Sequence, residues 1–301
     1  MTTTFVTECS PFKTLRDFLR FGVSQATSHG LTFGHGTDNA VDDIYSLLLG
    51  TLSLPAEESA LWLDARLTEA EKVTIAEQLS ARILKRIPVP YLINQAYFCG
   101  LPFYVDNRVL IPRSPIGELI KREFTPWIEP SSVHRILELC TGSGCIAIAC
   151  HYAFPDATID ATDISPAALA VAAINGEKHN IDDELLHFIA ADVFEGLKPA
   201  RYDVIIANPP YVGDSEMASL PAEYLHEPDI ALRAQRNGLA IVERILSQAH
   251  EFLTENGILI VEVGNSEEAL VDALPHLPFT WLDFEYGGQG VFLLTREQLL
   301  P

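Results

Sequence analysis

The chain has 301 residues, 48% of them hydrophobic, and its 41 acidic and 20 basic residues give a formal net charge of −21. A chain of this length and composition is expected to fold into about two domains with a large core, which excludes a disordered protein. The negative charge disfavours binding to phosphate backbones or anionic membranes and favours a basic partner.

The sequence has no apolar run of the roughly 20 residues that span a bilayer, and residues 1–8 lack the features of a secretory signal. These observations predict a soluble, cytoplasmic protein. Three of the five cysteines stand in an apolar stretch at spacings typical of neither zinc ligands nor disulfides, which predicts core residues: Cys140, Cys145 and Cys150. The histidines show no pairing at metal-ligand spacing, so no metal site is expected.

Residues 1–94 are predicted to form a helical domain, to which we assign substrate recognition. Ser10 and Pro11 suit the N-cap and the first position of a helix. Thr68 and Glu71 form a capping box, after which apolar residues recur at the spacing of one helix face.

A hairpin and a connecting segment are predicted over residues 95–131. Between Ala96 and Ile111 the sequence changes to β-branched and aromatic residues interrupted by glycine and proline. Asp106 and Asn107 are residue types that favour turns, so the hairpin is predicted to reverse there.

Residues 132–301 alternate short apolar strands with helices, which predicts an α/β domain with a doubly wound, mostly parallel sheet. The last two strands are separated by too few residues for a crossover, so they are expected to pair as a terminal antiparallel hairpin. The predicted strands are Arg135–Leu139, Ala157–Thr162, Leu185–Ala190, Asp203–Ala207, Gly257–Val263, Phe279–Phe284 and Gly290–Leu294.

A glycine-rich turn follows the first of these strands and begins a helix. Gly142 and Gly144 would let the backbone approach a nucleotide-bearing ligand, and Ala147 would let the helix pack closely on the strand. Asp163 stands at the end of the next strand, where a carboxylate can accept both hydroxyl hydrogens of a ribose. The alternative interpretation is a tight turn followed by an N-cap.

Asp192 follows the third strand, and we expect its carboxylate to lie beside the same pocket, where it can accept from the amino group of adenine. Its alternative role is that of an ordinary loop aspartate. These features fit an NAD-dependent dehydrogenase and an S-adenosylmethionine-dependent enzyme equally well, since each requires glycines, a ribose-binding acid and an adenine site.

The tetrapeptide Asn208-Pro209-Pro210-Tyr211 ends the fourth strand and separates the two alternatives. Neither proline has an N–H, and Asn208 is pushed to an extended conformation, so carbonyl acceptors remain. The Asn208 side-chain oxygen and the Pro209 carbonyl can each accept one hydrogen of a planar –NH₂ group. The Tyr211 ring can lie on the face of the amide or base that carries this group.

Together, these motifs resemble the class I S-adenosylmethionine-dependent methyltransferases that act on a planar nitrogen. The resemblance implies a Rossmann-like seven-stranded sheet with a terminal antiparallel hairpin. The cofactor would be S-adenosylmethionine, and the product S-adenosylhomocysteine. The acceptor motif implied as catalytic is Asn208, Pro209, Pro210 and Tyr211. The cofactor-binding positions implied are Cys140, Thr141, Gly142, Ser143, Gly144, Asp163, Asp192, Val193 and Asn208.

Further segments narrow the resemblance to the protein glutamine methyltransferases. Arg86-Ile-Pro88 with Pro90-Tyr91, and Val109 to Arg113, are similar to that family. Arg113 to Leu119 and the loop Gly34 to Asp38 resemble the branch that modifies ribosomal protein uL3. This likeness implies a basic ribosomal protein as substrate, without a direct requirement for nucleic acid.

One departure from the family's sequence pattern and three alternative functions stay open. Glu138 stands where many relatives have Asp, so we assign it no firm role, and core packing explains Glu262 and Gly264 as well as a family pattern does. The alternatives are methylation of peptide chain release factors, amino-methylation of nucleic acid, and a non-catalytic cofactor-binding module. The absence of a basic stripe counts against nucleic acid.

Overall fold

The computed structural model describes residues 5–55 and 59–300, which form two compact units. The smaller unit consists of the described residues up to Ala96 with two short later segments, Val105–Asn107 and Pro221–His226, and the larger unit takes the rest of the described chain. The division made from the sequence assigns the last of these segments to the domain after residue 131, because nothing in its composition marks it as part of the helical unit.

The smaller unit is helical and buries apolar side chains at three- and four-residue spacing, among them Phe18, Ile44 and Leu79. Its helices are α1 (Val6–Cys9), α2 (Leu15–Ser28), α3 (Ala40–Thr51), α4 (Ser59–Trp62), α5 (Glu69–Leu84) and α6 (Val89–Ile93).

The first long helix, α2, begins later than the sequence predicts. Thr14 is its N-cap: the Thr14 hydroxyl accepts from the N–H of Asp17, and the Asp17 carboxylate accepts from the N–H of Thr14. This capping box satisfies two backbone donors that would otherwise be unpaired. The predicted start at Ser10 and Pro11 is therefore wrong, whereas the predicted capping box at the start of α5 is present.

A buried cluster of charges joins the segment around Glu223 to the helices of this unit. Glu223 is 1% exposed and accepts from the N–H of Thr32 at 3.0 Å and from the Arg86 guanidinium at 3.1 Å. Arg82 donates two hydrogen bonds to the carboxylate of Asp43, at 2.7 and 3.3 Å. Breaking such a cluster leaves an uncompensated buried charge, so these pairs matter for stability.

A two-stranded hairpin follows, formed by β1 (Ala96–Phe98) and β2 (Leu101–Phe103). Its turn lies at Cys99 and Gly100, which have positive φ values of 53° and 84°. The predicted turn at Asp106–Asn107 is therefore wrong. Glycine adopts such a conformation without steric cost, which makes the earlier position the favourable place for the chain to reverse.

The larger unit is built on a seven-stranded sheet in the order β5-β4-β3-β6-β7-β9-β8. Strands β3 to β7 pair in parallel, and β9 pairs antiparallel with both β7 and β8. The predicted α/β fold with a terminal antiparallel hairpin is confirmed. The strands are β3 (Arg135–Leu139), β4 (Thr158–Asp163), β5 (Leu186–Ala190), β6 (Tyr202–Ala207), β7 (Leu253–Glu262), β8 (Thr280–Trp281) and β9 (Val291–Thr295).

Both faces of this sheet are buried. Successive residues of a strand point to opposite sides, and each side packs into an apolar cluster. Ile136 belongs to one apolar cluster and Leu137 to the other. The helices of this unit are α7 (Ile116–Lys121), α8 (Cys145–Ala153), α9 (Pro166–Lys178), α10 (Asp214–Met217), α11 (Asp229–Leu232), α12 (Ala240–Phe252) and α13 (Glu267–Ala273). In the described part of the chain, none of the helices has the length and apolar character needed to cross a membrane.

Candidate active site

A cavity of about 270 Å³ lies in the larger unit, where residues that follow β3, β4, β5 and β6 come together. This is the edge at which open parallel sheets bind ligands. Of the predicted site residues, those that line the cavity are Cys140, Thr141, Gly142, Ser143, Asp163, Asp192, Val193, Asn208 and Pro210. Gly144, Pro209 and Tyr211 adjoin these residues in sequence but do not line it.

The glycine turn between β3 and α8 contains two glycines with different surroundings. One has open space beside it, and the other packs against neighbouring side chains. Gly142 has φ +55°, and a Cβ there would meet no atom within 4 Å. Gly144 has φ +79°, and its Cβ would come within 3.2 Å of Ala172 and Phe188. The first glycine therefore gives a ligand access to backbone, and the second allows close packing of α9 and β5.

Two residues with side chains also hold left-handed backbone at the cavity. Cys140 has φ +59° and Val193 has φ +58°. Such a conformation is unusual for a non-glycine residue and costs most for a β-branched one. Burial raises the pKa of the Cys140 thiol, so its sulfur stays protonated and is no nucleophile at neutral pH.

Asp163 holds the glycine turn and the start of α9 together. Its Oδ2 accepts from the N–H of Gly142 at 2.9 Å, and its Oδ1 accepts from the N–H of Ser165 at 2.8 Å. Ser165 is the N-cap of α9, so Asp163 is free of that role. Burial raises the pKa of Asp163 despite these bonds. A carboxylate has about four lone-pair sites, so Asp163 can still accept from a further donor at the cavity.

Glu138 is a buried carboxyl group in the cavity wall, at 2% exposure. Its Oε2 accepts from the Thr141 hydroxyl at 2.5 Å and from the N–H of Ala147 at 2.9 Å. Burial raises its pKa to about 8, and nearby Asp163 adds to the rise. Near neutral pH a cation placed in the cavity would therefore draw Glu138 into its ionised form.

Asp192 is held by a residue that the sequence did not point to. Arg244 on α12 donates to Asp192 Oδ1 at 2.8 Å and to its main-chain oxygen at 3.3 Å, and it also lines the cavity. The side-chain bond to Asp192 raises the pKa of Arg244, which stays charged. One oxygen of Asp192 is thus engaged by the guanidinium, which fixes the direction of the carboxylate.

The acceptor motif reaches the same cavity through Asn208 and Pro210, which line it after the end of β6. The Tyr211 hydroxyl donates to Glu262 Oε1 at 3.0 Å, and a Cβ on Gly264 would lie 2.6 Å from the Tyr211 ring. A glycine is therefore required at 264 for the ring to occupy this position.

Comparison with known proteins identifies the chain. Residues 124–277 match the model of the family described as Methyltransferase small domain. The chain is 49% identical over 288 residues to the ribosomal protein uL3 glutamine methyltransferase of Neisseria gonorrhoeae (strain ATCC 700825 / FA 1090), covering 95% of this chain and 96% of the relative. The corresponding protein of Neisseria meningitidis serogroup B is also 49% identical, with 94% of its length covered.

The chain belongs to the ribosomal protein uL3 glutamine methyltransferase family. It is an S-adenosylmethionine-dependent methyltransferase, which confirms the family, enzyme class and cofactor that the resemblance implied. Among solved structures, the hMettl16 catalytic domain in complex with the MAT2A 3′UTR hairpin 6 aligns with a TM-score of 0.52 at 19% identity, covering 72% of this chain and 80% of that one. This likeness shows the fold alone.

The residues of the cavity suit S-adenosylmethionine. That molecule carries a sulfonium, an ammonium group and ribose hydroxyls, and the cavity offers three carboxyl groups, Glu138, Asp163 and Asp192. The open position beside Gly142 permits close approach to backbone. In residues 5–55 and 59–300, His, Cys, Asp and Glu form no group of three or more that could hold a metal ion.

Several cavity contacts escaped sequence reasoning because they join distant parts of the chain. Arg244 lies on an amphipathic helix with no motif around it, and its pairing with Asp192 spans 52 positions. Glu262 carried a usable signal, since it ends a strand at the same sheet edge as Asp163, but strand-edge packing explained it equally well. Arg113 forms a bidentate ion pair with buried Glu227 at 2.6 and 2.7 Å, which no spacing reveals.

Proposed function

We propose that this protein transfers the methyl group of S-adenosylmethionine to the side-chain amide nitrogen of a glutamine in ribosomal protein uL3. The observation that carries the proposal is the placement of Asn208 in the same cavity as Gly142 and Asp163. The names of the relatives support uL3 as the acceptor protein.

The acceptor nitrogen has to be oriented more than deprotonated, because its lone pair is delocalised into the carbonyl. We assign one hydrogen of the –NH₂ group to Asn208 Oδ1, which belongs to a lining residue of the cavity. The second is assigned to the carbonyl of Pro209, which stands between the lining residues Asn208 and Pro210. Two such acceptors would direct the lone pair of the nitrogen into the cavity. When bound, S-adenosylmethionine supplies an electrophilic methyl group on its sulfonium.

The same two acceptors favour the positive charge that grows on the nitrogen as it reacts, a form of electrostatic stabilisation. Holding reactants in the productive geometry is worth about 7–11 kcal/mol of a barrier. The alkylated amide nitrogen is a strong acid, so it loses its proton to water without a dedicated base in the chain.

Selection of the protein substrate is assigned to the helical residues 1–94 and to the hairpin with its connecting segment, residues 95–131. The formal charge of −21 suits a basic partner, because complementary fields speed encounter and disfavour acidic competitors. We expect the reaction to take place in the cytoplasm, where ribosomal proteins are made.

Asn208→Ala tests the role of the acceptor motif. We expect transfer of labelled methyl to uL3 to fall by about 10²–10³, the usual cost of removing one group that stabilises a transition state. S-adenosylhomocysteine should still bind, as measured by calorimetry, because the other cofactor-binding positions remain. Methyl transfer at the wild-type rate would contradict the role given to Asn208, and equal loss of cofactor binding would make the residue a cofactor ligand only.

A further inference from the structure

We propose that Glu262 is a positioning residue that fixes Tyr211 of the acceptor motif and connects it to the segment that begins at Arg113. This inference rests on the proposed function. Glu262 ends β7 at the same sheet edge as the cavity, and its side chain is buried at 6% exposure. It does not itself line the cavity, so its effect on the reaction passes through its neighbours.

Glu262 accepts one hydrogen bond on each carboxylate oxygen, and both donors are hydroxyl groups. The Tyr211 hydroxyl donates to Oε1 at 3.0 Å, and the Ser114 hydroxyl donates to Oε2 at 2.6 Å. Bonds from hydroxyls to a carboxylate are shorter and stronger than those between neutral groups. The bond from Ser114 has the short length of this class, and the bond from Tyr211 is longer.

The residues just after Glu262 hold the rest of Tyr211. Gly264 presents no side chain to the ring, which a Cβ would approach to 2.6 Å. The Ser266 hydroxyl donates to the main-chain oxygen of Tyr211 at 3.0 Å. Hydroxyl, ring and backbone of one residue are thus all determined by positions 262–266, which is more than packing at a strand edge requires.

The Tyr211 hydroxyl stays protonated, so it remains the donor in its bond to Glu262. Burial raises the pKa of Tyr211, and the charge and hydrogen bond of Glu262 add to the rise, so the phenol stays protonated and donates. Burial also raises the pKa of Glu262, while the bonds from Ser114 and Tyr211 and the charge of Arg113 oppose that rise. Loss of either hydroxyl would leave one buried oxygen of Glu262 without its partner, at a cost.

The second hydroxyl, that of Ser114, joins the acceptor motif to the segment from Arg113 to Leu119. Ser114 and its neighbour Arg113 line the cavity, and Arg113 is fixed by its bidentate pair with Glu227. The resemblance to the uL3-modifying branch includes Arg113 to Leu119. Through Glu262, a change in this segment can alter the placement of Tyr211 without touching the Asn-Pro-Pro residues.

A double-mutant cycle with Glu262→Gln and Tyr211→Phe tests this coupling. We expect Glu262→Gln to lower kcat for methyl transfer to uL3 by about tenfold to a hundredfold, as a small misplacement of the site does. KM for S-adenosylmethionine should stay nearly constant. In the Tyr211→Phe background, which lacks the hydroxyl that Glu262 holds, the same substitution should have almost no further effect. Losses that multiply would overturn the proposal, since they would mean that Glu262 acts by another route.

Asp160→Asn is the matched control. Asp160 is also 6% exposed, also lies in the sheet, and accepts from the Tyr202 hydroxyl at 2.7 Å, but it does not line the cavity. This variant should lose stability while keeping kcat, provided that both are measured well below its melting temperature. A similar loss of kcat in Asp160→Asn would show that any broken buried pair in the sheet slows the enzyme and would overturn the proposal.

Carbon-13 labelling of the tyrosine ζ position gives a readout that does not need the protein substrate. The Tyr211 signal, assigned by its disappearance in Tyr211→Phe, should shift in Glu262→Gln and stay in place in Asp160→Asn. An unshifted signal would overturn the positioning role. A shifted signal together with no methylation of uL3 by the wild-type protein would leave the positioning of Tyr211 standing and would contradict the proposed function instead.

Discussion

Buried carboxyl groups in the two units differ in the charge of the groups around them. In the helical unit, burial alone would raise the pKa of Glu223, but the N–H of Thr32 and the guanidinium groups of Arg86 and Arg82 lower it below its ordinary value. In the larger unit, Glu138 accepts from neutral donors, a hydroxyl and an N–H, and burial raises its pKa to about 8. Both side chains are almost fully buried.

The difference separates a carboxyl group that holds the fold together from two that line the cavity. The charge of Glu223 is neutralised by arginines of the protein itself, so it stabilises the fold. Glu138 and Asp163 line the cavity and both have raised pKa values. Cys140 and Val193, which have left-handed backbone, line the same cavity. Acids that have shifted pKa values and line a cavity are typical of functional sites.

The largest effect is expected at Glu223. Glu223→Ala leaves Arg82 and Arg86 without this partner, and removal of one member of a buried ion pair costs about 3–5 kcal/mol of unfolding free energy. Chemical denaturation followed by circular dichroism measures this loss, with Glu223→Gln as the control that keeps an acceptor for Thr32. A loss no larger than that of a surface substitution would contradict the structural role of this carboxylate.

Asp163 should affect ligand binding more than folding. Asp163→Asn removes a charge and one acceptor, so the affinity for S-adenosylhomocysteine should fall by about tenfold to a hundredfold, the usual worth of hydrogen bonds to a charged group. Isothermal titration calorimetry measures the affinity. Asp160→Asn, on the same strand, should bind the ligand normally. Equal affinities of wild type and Asp163→Asn would remove Asp163 from the cofactor site.

The raised pKa of Glu138 leads us to expect that the protein becomes less stable as the pH rises. Its folded pKa of about 8 lies above its ordinary value of 4.5, so the folded state binds the proton more tightly. The stability that Glu138 contributes is complete below pH 4.5 and is lost as pH rises through about 8. Within that window the folded protein therefore becomes steadily less stable as the pH rises.

Glu138→Gln should remove this slope from the ligand-free protein, as measured by denaturation at a series of pH values. Added S-adenosylmethionine should also flatten it in the wild type, because the bound cation stabilises the ionised carboxylate. Identical pH profiles for Glu138→Gln and wild type would show that Glu138 is not the group that titrates.

The smallest effect is expected at the surface of the helical unit. Arg16 donates to both oxygens of Asp64, at 2.8 and 3.0 Å, and both side chains are exposed. Water and salt weaken such pairs, so Asp64→Ala should leave the melting temperature unchanged within error. A clear drop in melting temperature would mean that ion pairs stabilise this unit wherever they occur, and not through burial.

The sequence predicted the strands and turns of the larger unit better than it predicted the contacts between residues far apart in the chain. Alternating strands and glycine turns follow local rules, so Arg135–Leu139 was predicted with its observed bounds and the terminal hairpin was predicted from loop length alone. The hairpin turn and the start of α2 were misplaced because several residue types suit a turn or a cap, and only packing decides among them. The cavity residues that follow a strand were accessible to prediction for the same local reason.

Partners from distant elements were not accessible. Nothing near Asp192 indicates Arg244, and nothing near Tyr211 indicates that Glu262 and Ser114 share one carboxylate. The left-handed backbone of Val193 contradicts the preference of its residue type and is imposed by the surrounding fold. Local rules therefore locate the site, and tertiary contacts determine how its side chains are held.

Mass spectrometry of ribosomal protein uL3 after incubation with the purified protein and S-adenosylmethionine tests the central claim most directly. A peptide chain release factor and RNA serve as competing acceptors in the same mixture. We expect the added mass of one methyl group on one glutamine of uL3, and none when Asn208→Ala replaces the wild type. Methylation of RNA or of the release factor while uL3 stays unmodified would contradict it.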